Sequence, residues 1–414
     1  MVSEQIEQIE KRPFLLQQLL WLYCNDEDLG GTISETYAKM LNAMCGWSNH
    51  RNDGHKSESD NLLLPTIMQQ YPKFEGKERV LFLCGKTAFD ILRSGSLRNI
   101  LNRQNLLKTG LSNIDVNELT QFGILNEINC FNTTEKDKHY AFAHMSFLEF
   151  FAAVYVTTND TKTKPNSFQE KEDDRNQKVL DTLFGTCASA SDILQLSNVI
   201  KMVCGLSPVL TGDLSKLISC IMNKDEHILH LRKNGSKEIS GKDEITLIQR
   251  LITIDCLKEC GFDNNTMVSV SDLFVGFSEP VLPLQSINPD DVISLTFDYI
   301  DDRDINAYWK YIAEYLRQCK QLQYMHIRYS SLKHIKVLLS HQLPIKHLAL
   351  YNAPFNGFAC DINLSKQNSI QTLELSSSKL KISELSIEQL EQVHIQSCWY
   401  IFDIKRLSNA GKLK

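Results

Sequence analysis

The chain has 414 residues, 43% of them hydrophobic and 23% charged, a globular composition with length enough for several cored domains, which excludes a wholly disordered protein. Its 44 basic and 50 acidic residues give a net charge of -6, which argues against nucleic acid or an anionic membrane surface as the main partner. The N-terminal MVSEQIEQIEKRPF lacks the basic start and apolar run of a secretory signal, and no apolar run of the roughly 18 residues that a membrane span needs is present. The 12 Cys stand singly, most of them inside apolar patterns, as at Cys24, Cys84, Cys204, Cys256 and Cys319. They predict small core residues in a reducing compartment, hence a cytoplasmic protein.

Apolar residues at helical spacing predict two short helices in PFLLQQLLWLYC (13–24) and ISETYAKMLNAM (33–44), parted by the break at Asp26 to Gly31. Residues 46–75 lose periodicity and gain turn formers, so they read as an irregular insertion with a short helix near Leu62 to Tyr71. Helices are expected again at 78–93 and 100–108. After the helix-like NELTQFG, the alternating segments ILNEINCF and HYAFAH flank the polar NTTEKDK, which predicts a β-hairpin. A helix follows at once, with Phe147, Phe150, Phe151 and Val154 forming one apolar stripe. Ser146 and Glu149 stand at capping-box spacing, with Ser146 as the expected N-cap. Helices, hairpin and capped helix make a winged-helix pattern. Residues 157–178 hold almost nothing to bury and read as a polar linker, and helical periodicity returns from Val179 to about Gly261.

The last third repeats. The pattern L-x-x-L-x-L occurs as VISLTF from Val292, LQYMHI from Leu322, IKHLAL from Ile345, IQTLEL from Ile370 and LEQVHI from Leu390, at intervals of 30, 23, 25 and 20 residues. This is close to the period of a leucine-rich repeat, whose units each supply one strand and one return segment and cannot bury their apolar face alone. The position that such repeats usually give to Asn or Cys holds Ile300, Ser330, Ala353, Ser378 and Cys398, so the Asn ladder is missing. INAYWKYIAEYLRQC, between the first two strands, predicts an amphipathic helix.

Few motifs carry chemistry. VLFLCGKTAF (80–89) imitates the lysine end of a phosphate-binding loop, but the required earlier Gly is Val80, so a helix with a solvated Lys86 is the favoured reading. The pairs Cys256/Cys260 and His227/His230 lack the spacing of a tetrahedral zinc site and read as core thiols and surface imidazoles. Asp301, Asp302 and Asp304 read as a solvated loop, and no catalytic arrangement stands out, so an enzyme is not expected. The most specific stretch is YAFAHMSFLEFFAAVYV (140–156). His144 sits just before the helix start, where free amides, the dipole and an imidazole together suit an anion such as phosphate, although a locally bonded His explains it as well.

That stretch closely resembles the winged-helix signature of animal NOD-like receptors, the NACHT-type signal-transducing ATPases, which carry an aromatic-x-His-x-Ser-Phe-x-Glu-Phe-x-Ala-Ala run. KRPFLLQQLLWLYC and ISETYAKML resemble the family's first helical domain, LFLCGKTAFDIL resembles its winged-helix opening, and the order continues to leucine-rich repeats. The resemblance implies a fold that is mainly α with a winged-helix β-hairpin, followed by an α/β leucine-rich-repeat solenoid. It implies residues 1–45 as helical domain 1, 46–75 as an insertion, 76–156 as winged helix, 157–178 as linker, 179–285 as helical domain 2 and 286–414 as repeats. His144 matches the His that contacts a phosphate of bound ADP, and Pro13 matches the Pro that packs near the adenine. The family's nucleotide-binding core, with its Walker A loop and Mg-binding acidic residues, is absent. The implied protein is therefore the regulatory and sensing portion of a receptor. Its partners are a nucleotide-binding core carrying ADP or ATP, a protein or pathogen-derived ligand held by the repeats, and other copies in an oligomer. The competing reading is a standalone leucine-rich-repeat interaction scaffold in which His144 has no ligand.

Overall fold

The apolar spacing of ISETYAKMLNAMC produces helix α1 (Ile33–Cys45), whose N-cap Thr32 accepts from the Glu35 amide. The computed structural model describes residues 29–46, 62–94, 100–128, 138–160, 168–234, 243–261, 266–276, 282–298, 306–330, 332–352, 360–376, 380–385 and 389–398, with isolated positions between 16 and 24. They fall into two compact units: one comprises Met1–Thr186, Gln195–Thr211 and Asp255–Asp263, the other Cys187–Leu194, Gly212–Ile254 and Asn264–Lys414. The segment read as one second helical domain, 179–285, is thus shared between them.

In the first unit α2 (Glu78–Arg93) precedes β1 (Ile100–Asn102), α3 (Arg103–Lys108), α4 (Asn113–Gln121), β2 (Leu125–Ile128) and β3 (His139–Phe142). The three strands form an antiparallel sheet in the order β1-β3-β2. The expected hairpin is β2 with β3, in register Leu125 to Phe142 and Ile128 to His139. Ile100 to Asn102, read as the start of a helix, instead extends along β3, and α3 begins only after Asn102, whose side chain caps it. Next come α5 (Met145–Thr157), α6 (Phe168–Phe184) and α7 (Ser197–Leu206). Residues 168–178, read as linker, are therefore helical.

Helix α5 is buried nearly all round: Leu148, Ala152, Ala153 and Val156 are as enclosed as the expected stripe of Phe147, Phe150, Phe151 and Val154. A helix that is apolar on every side belongs in the middle of a core, and the stripe was too narrow a reading. Its closest crossing is with α2 at Gly85, where an added Cβ would lie 2.5 Å from the Phe151 carbonyl oxygen and 2.9 Å from Tyr155 Cβ. No larger residue fits there without moving backbone.

After its short segment Cys187–Leu194, the second unit continues with α8 (Thr211–Met222), α9 (Glu226–Asn234) and α10 (Glu244–Arg250), the last running on into a π-helical turn, Leu251–Cys256, as far as Ile254 in this unit. Then come β4 (Asp272–Gly276), β5 (Ser294–Asp298), α11 (Asn306–Leu316), β6 (Tyr324–Arg328), α12 (Leu332–Leu338), β7 (His347–Tyr351), β8 (Cys360–Leu364), β9 (Thr372–Ser376), β10 (Leu380–Leu385) and β11 (Gln392–Gln396). The protein is thus a mixed α/β chain with a six-stranded parallel sheet, order β11-β9-β7-β6-β5-β4, and a separate parallel pair, β8 with β10.

The five hexapeptides read from the sequence hold five of these strands in the register expected, with Leu295, Met325, Leu348, Leu373 and Val393 opposite one another. The sixth strand, β4, comes from VSDLFV at Val270 and was not read; Leu273 pairs with Leu295. Unequal intervals do not disturb the geometry. At the start of each strand of the six-stranded sheet from β5 onward, two successive amides share one carbonyl of the preceding unit, from Ile293 and Ser294 on Ser271 to Glu391 and Gln392 on Gln371. Tyr329, Asn352 and Ser397, each directly after a strand, share a left-handed backbone with φ of 47°, 45° and 53°.

The apolar face of this sheet forms a core from β4 to β9, while Ile395 on β11 is exposed. The opposite face is also buried along β4 to β7, where Arg232 of α9 meets Asp272, and at the open edge of β4 Gln249 of α10 both donates to the Phe274 carbonyl and accepts from its amide. On β11 that same face is exposed at Gln392, His394 and Gln396.

Candidate functional site at the start of helix α5

Strand β3 delivers the chain to α5 through Ala143, whose amide bonds the Ile124 carbonyl at 2.9 Å, and through His144 in extended conformation. His144, not Ser146, is the N-cap. Its Nδ1 accepts from the Ser146 amide at 3.1 Å and also contacts the Ser146 hydroxyl. Imidazole Nδ1 is as far from its backbone as the carboxyl oxygen of Asp, so an extended His can do the work of an Asp cap. Ser146 is then the second helical residue and is buried, and Glu149, expected to complete a capping box, accepts from Asn198 Nδ2 on α7 at 2.8 Å instead.

Two consequences bear on anion binding. The expected cluster of open amides is absent from most of the first turn: the Ser146 amide serves the imidazole, and the Phe147 and Leu148 amides bond the His144 carbonyl at 3.1 and 3.3 Å. Because a backbone amide only donates, Nδ1 must accept, which puts the proton of the neutral ring on Nε2 and makes that atom a donor. A phosphate oxygen fits such an atom. Pro13 lies outside the described residues.

The chain also packs ISETYAKML beside this helix start. Tyr37 of α1 lies edge-on to Phe147, with centroids 5.4 Å apart, and stacks on Phe150 at 5.5 Å. The N-terminus of α1 is held by a residue that sequence reading missed: buried Glu259 accepts from the Ile33 and Ser34 amides at 3.0 Å each and from the Ser34 hydroxyl at 2.7 Å. A carboxylate on the first-turn amides of a helix is favoured by both hydrogen bonding and the dipole. Gly205 makes room for it, since a Cβ there would lie 2.2 Å from Ser34 Oγ and 2.7 Å from Glu259 Oε2. No local signal announces Glu259, which is more than 220 residues away in the chain.

The other motifs resolve simply. VLFLCGKTAF is the middle of α2, with Gly85 at the crossing described above and the Thr87 hydroxyl donating to the Leu83 carbonyl. Lys86 is half-buried rather than fully solvated. Cys256 is buried, and hydrogen bonding with Cys204 followed by burial pushes its thiol well above the usual range. His227 and His230 are exposed, and among the described residues no group of His, Cys, Asp or Glu is placed to hold a metal ion. Asp301, Asp302 and Asp304 lie outside the described residues. Among the described residues no helix is long and apolar enough to cross a membrane.

No protein-family model and no curated protein sequence matches the chain.

Proposed function

We propose that this chain is the regulatory and sensing portion of a NOD-like receptor. In this reading the first unit is the helical and winged-helix part that holds an ADP-bound core closed, and the parallel sheet belongs to a leucine-rich-repeat array that recognises a protein or pathogen-derived ligand. The observation that carries it is His144: it follows a hairpin strand by two residues, caps the helix of the family-like signature and has its ring fixed as an Nε2 donor. The ordered strand register of VISLTF to LEQVHI supports the second half of the reading. The alternative is a standalone leucine-rich-repeat scaffold. The two differ on whether a nucleotide-binding segment is encoded upstream of Met1.

The capping geometry supplies a test that separates stability from nucleotide contact. His144→Asp keeps an N-cap acceptor and suits the dipole, but it removes the donor and sets a negative charge where the reading puts a phosphate. In a receptor joined to its nucleotide-binding core, His144→Asp should leave the melting temperature within a degree or two and weaken ADP retention roughly ten- to a hundredfold, the effect of losing one hydrogen bond to a charged acceptor. Unchanged ADP retention would sink the phosphate assignment.

A further inference from the structure

A buried imidazole stands where α9 meets the polar face of the parallel sheet. His326 Nε2 lies 3.0 Å from the Arg232 backbone carbonyl in the last turn of α9. A carbonyl only accepts, so the ring proton is on Nε2 and Nδ1 is a lone-pair acceptor. Nδ1 is buried and has no hydrogen-bond partner among the described residues. The charged groups around the ring come from every neighbouring element. From α9 comes the Arg232 guanidinium, which binds both carboxylate oxygens of Asp272 on β4 at 2.6 Å. Its own strand supplies Arg328, bonded at 2.7 Å to Asp298 of β5. From β7 comes His347, stacked on Tyr324, whose imidazole burial and then Lys233 and Lys346 hold below the usual range. Both nearby carboxylates are already engaged by arginines.

We propose that His326 is a proton-operated latch, which fastens the C-terminal turn of α9 to the parallel sheet while neutral and frees that helix when protonated. This goes beyond the receptor reading and does not rest on it.

A second proton must enter at Nδ1, where no acceptor receives the new N–H and water is excluded. Burial is the largest influence and pushes the imidazole down to about 4, against the Arg232 carbonyl and Asp272, which act the other way. A group whose pKa is lower when docked takes up its proton preferentially when released. Docking is therefore complete above the ordinary His value of 6.5 and weakens as pH falls toward 4. Between about pH 7.5 and pH 5 the released fraction should rise about thirtyfold.

Hydrogen exchange of the full chain, corrected for the intrinsic pH dependence of amide exchange, reads this directly. Amides of 226–234 should lose about thirtyfold in protection over that interval. In His326→Gln, whose amide can donate to the same carbonyl but does not titrate, the loss should vanish, and in His347→Gln it should persist. An equal loss in His326→Gln overturns the latch. So does an NMR titration of the folded wild-type chain in which the His326 imidazole titrates near its ordinary value, a measurement that decides the matter even if the Gln variant fails to fold.

Discussion

Two buried helix contacts in this protein are built on opposite principles. Where α2 crosses α5, the contact is steric: Gly85 lies under the Phe151 carbonyl, and aromatic rings fill the rest, with Phe82 and Phe89 both against Tyr155. Where α9 lies on the parallel sheet, the contact is polar, made by Arg232 with Asp272 and the adjoining Ser271 and by His326 with the helix carbonyl. The first resists added volume and the second a charge left without its partner. Burial alone therefore does not tell which substitution breaks a contact.

The largest expected effect is on the sheet's own apolar face. Leu373→Asp buries an unpaired charge in a ladder whose units depend on each other, and should cost more than about 5 kcal/mol by denaturant titration, where Thr372→Asp, one residue away and half-exposed, should cost under about 1. Next is the polar contact: Arg232→Leu leaves Asp272 buried without its cation and should cost about 3 to 5 kcal/mol. Adding Asp272→Leu should recover much of that, and a double-mutant cycle with no recovery would show that the ion pair is not what holds α9. At the steric contact Gly85→Ala should cost about 1 to 3 kcal/mol although Ala is the better helix former by about 1, whereas Lys86→Ala should be within about 0.5. A neutral Gly85→Ala would mean that α2 and α5 do not approach so closely. The smallest effect is at the cap, where His144→Ala should lower stability by about 1 kcal/mol and His144→Asp by a few tenths. Equal losses for the two would show that the imidazole does more than cap.

Legibility followed the range of the interactions. The strands of the parallel sheet were readable, because L-x-x-L-x-L states in one short segment which residues enter the core. The strand β4 was missed although VSDLFV fits the same pattern with Val270, Leu273 and Val275 at its apolar positions, because Val replaces Leu at two of the three. The return segments were harder: β8 and β10 are strands where a helix or loop was expected, in the intervals of 25 and 20 residues. The polar link there is Gln367, whose amide donates to the Leu339 and His341 carbonyls, rather than an Asn ladder. At the candidate site the hairpin, the helix and the position of His144 were legible. The cap was misassigned because Ser-x-x-Glu satisfies the spacing rule, yet Glu149 is drawn away by Asn198, a partner 49 residues on. Glu259 and the ion pair of Arg232 depend on contacts across 226 and 40 residues, which no local pattern encodes.

The three residues that leave β6, β7 and β11 in left-handed conformation set a limit on how far this part of the sequence has been optimised. Such a backbone costs an ordinary side chain on the order of 1 kcal/mol, and only Asn352 is of a type that adopts it readily. The amides of Tyr329 and Asn352 still bond the next strand, to the Tyr351 and Ser376 carbonyls, so the turn is dictated by neighbouring chain rather than by the residue occupying it. The array thus carries unclaimed headroom at one recurring corner, and Ser397, the last of the three, is where an Asn could take it up at least risk to anything else the chain does.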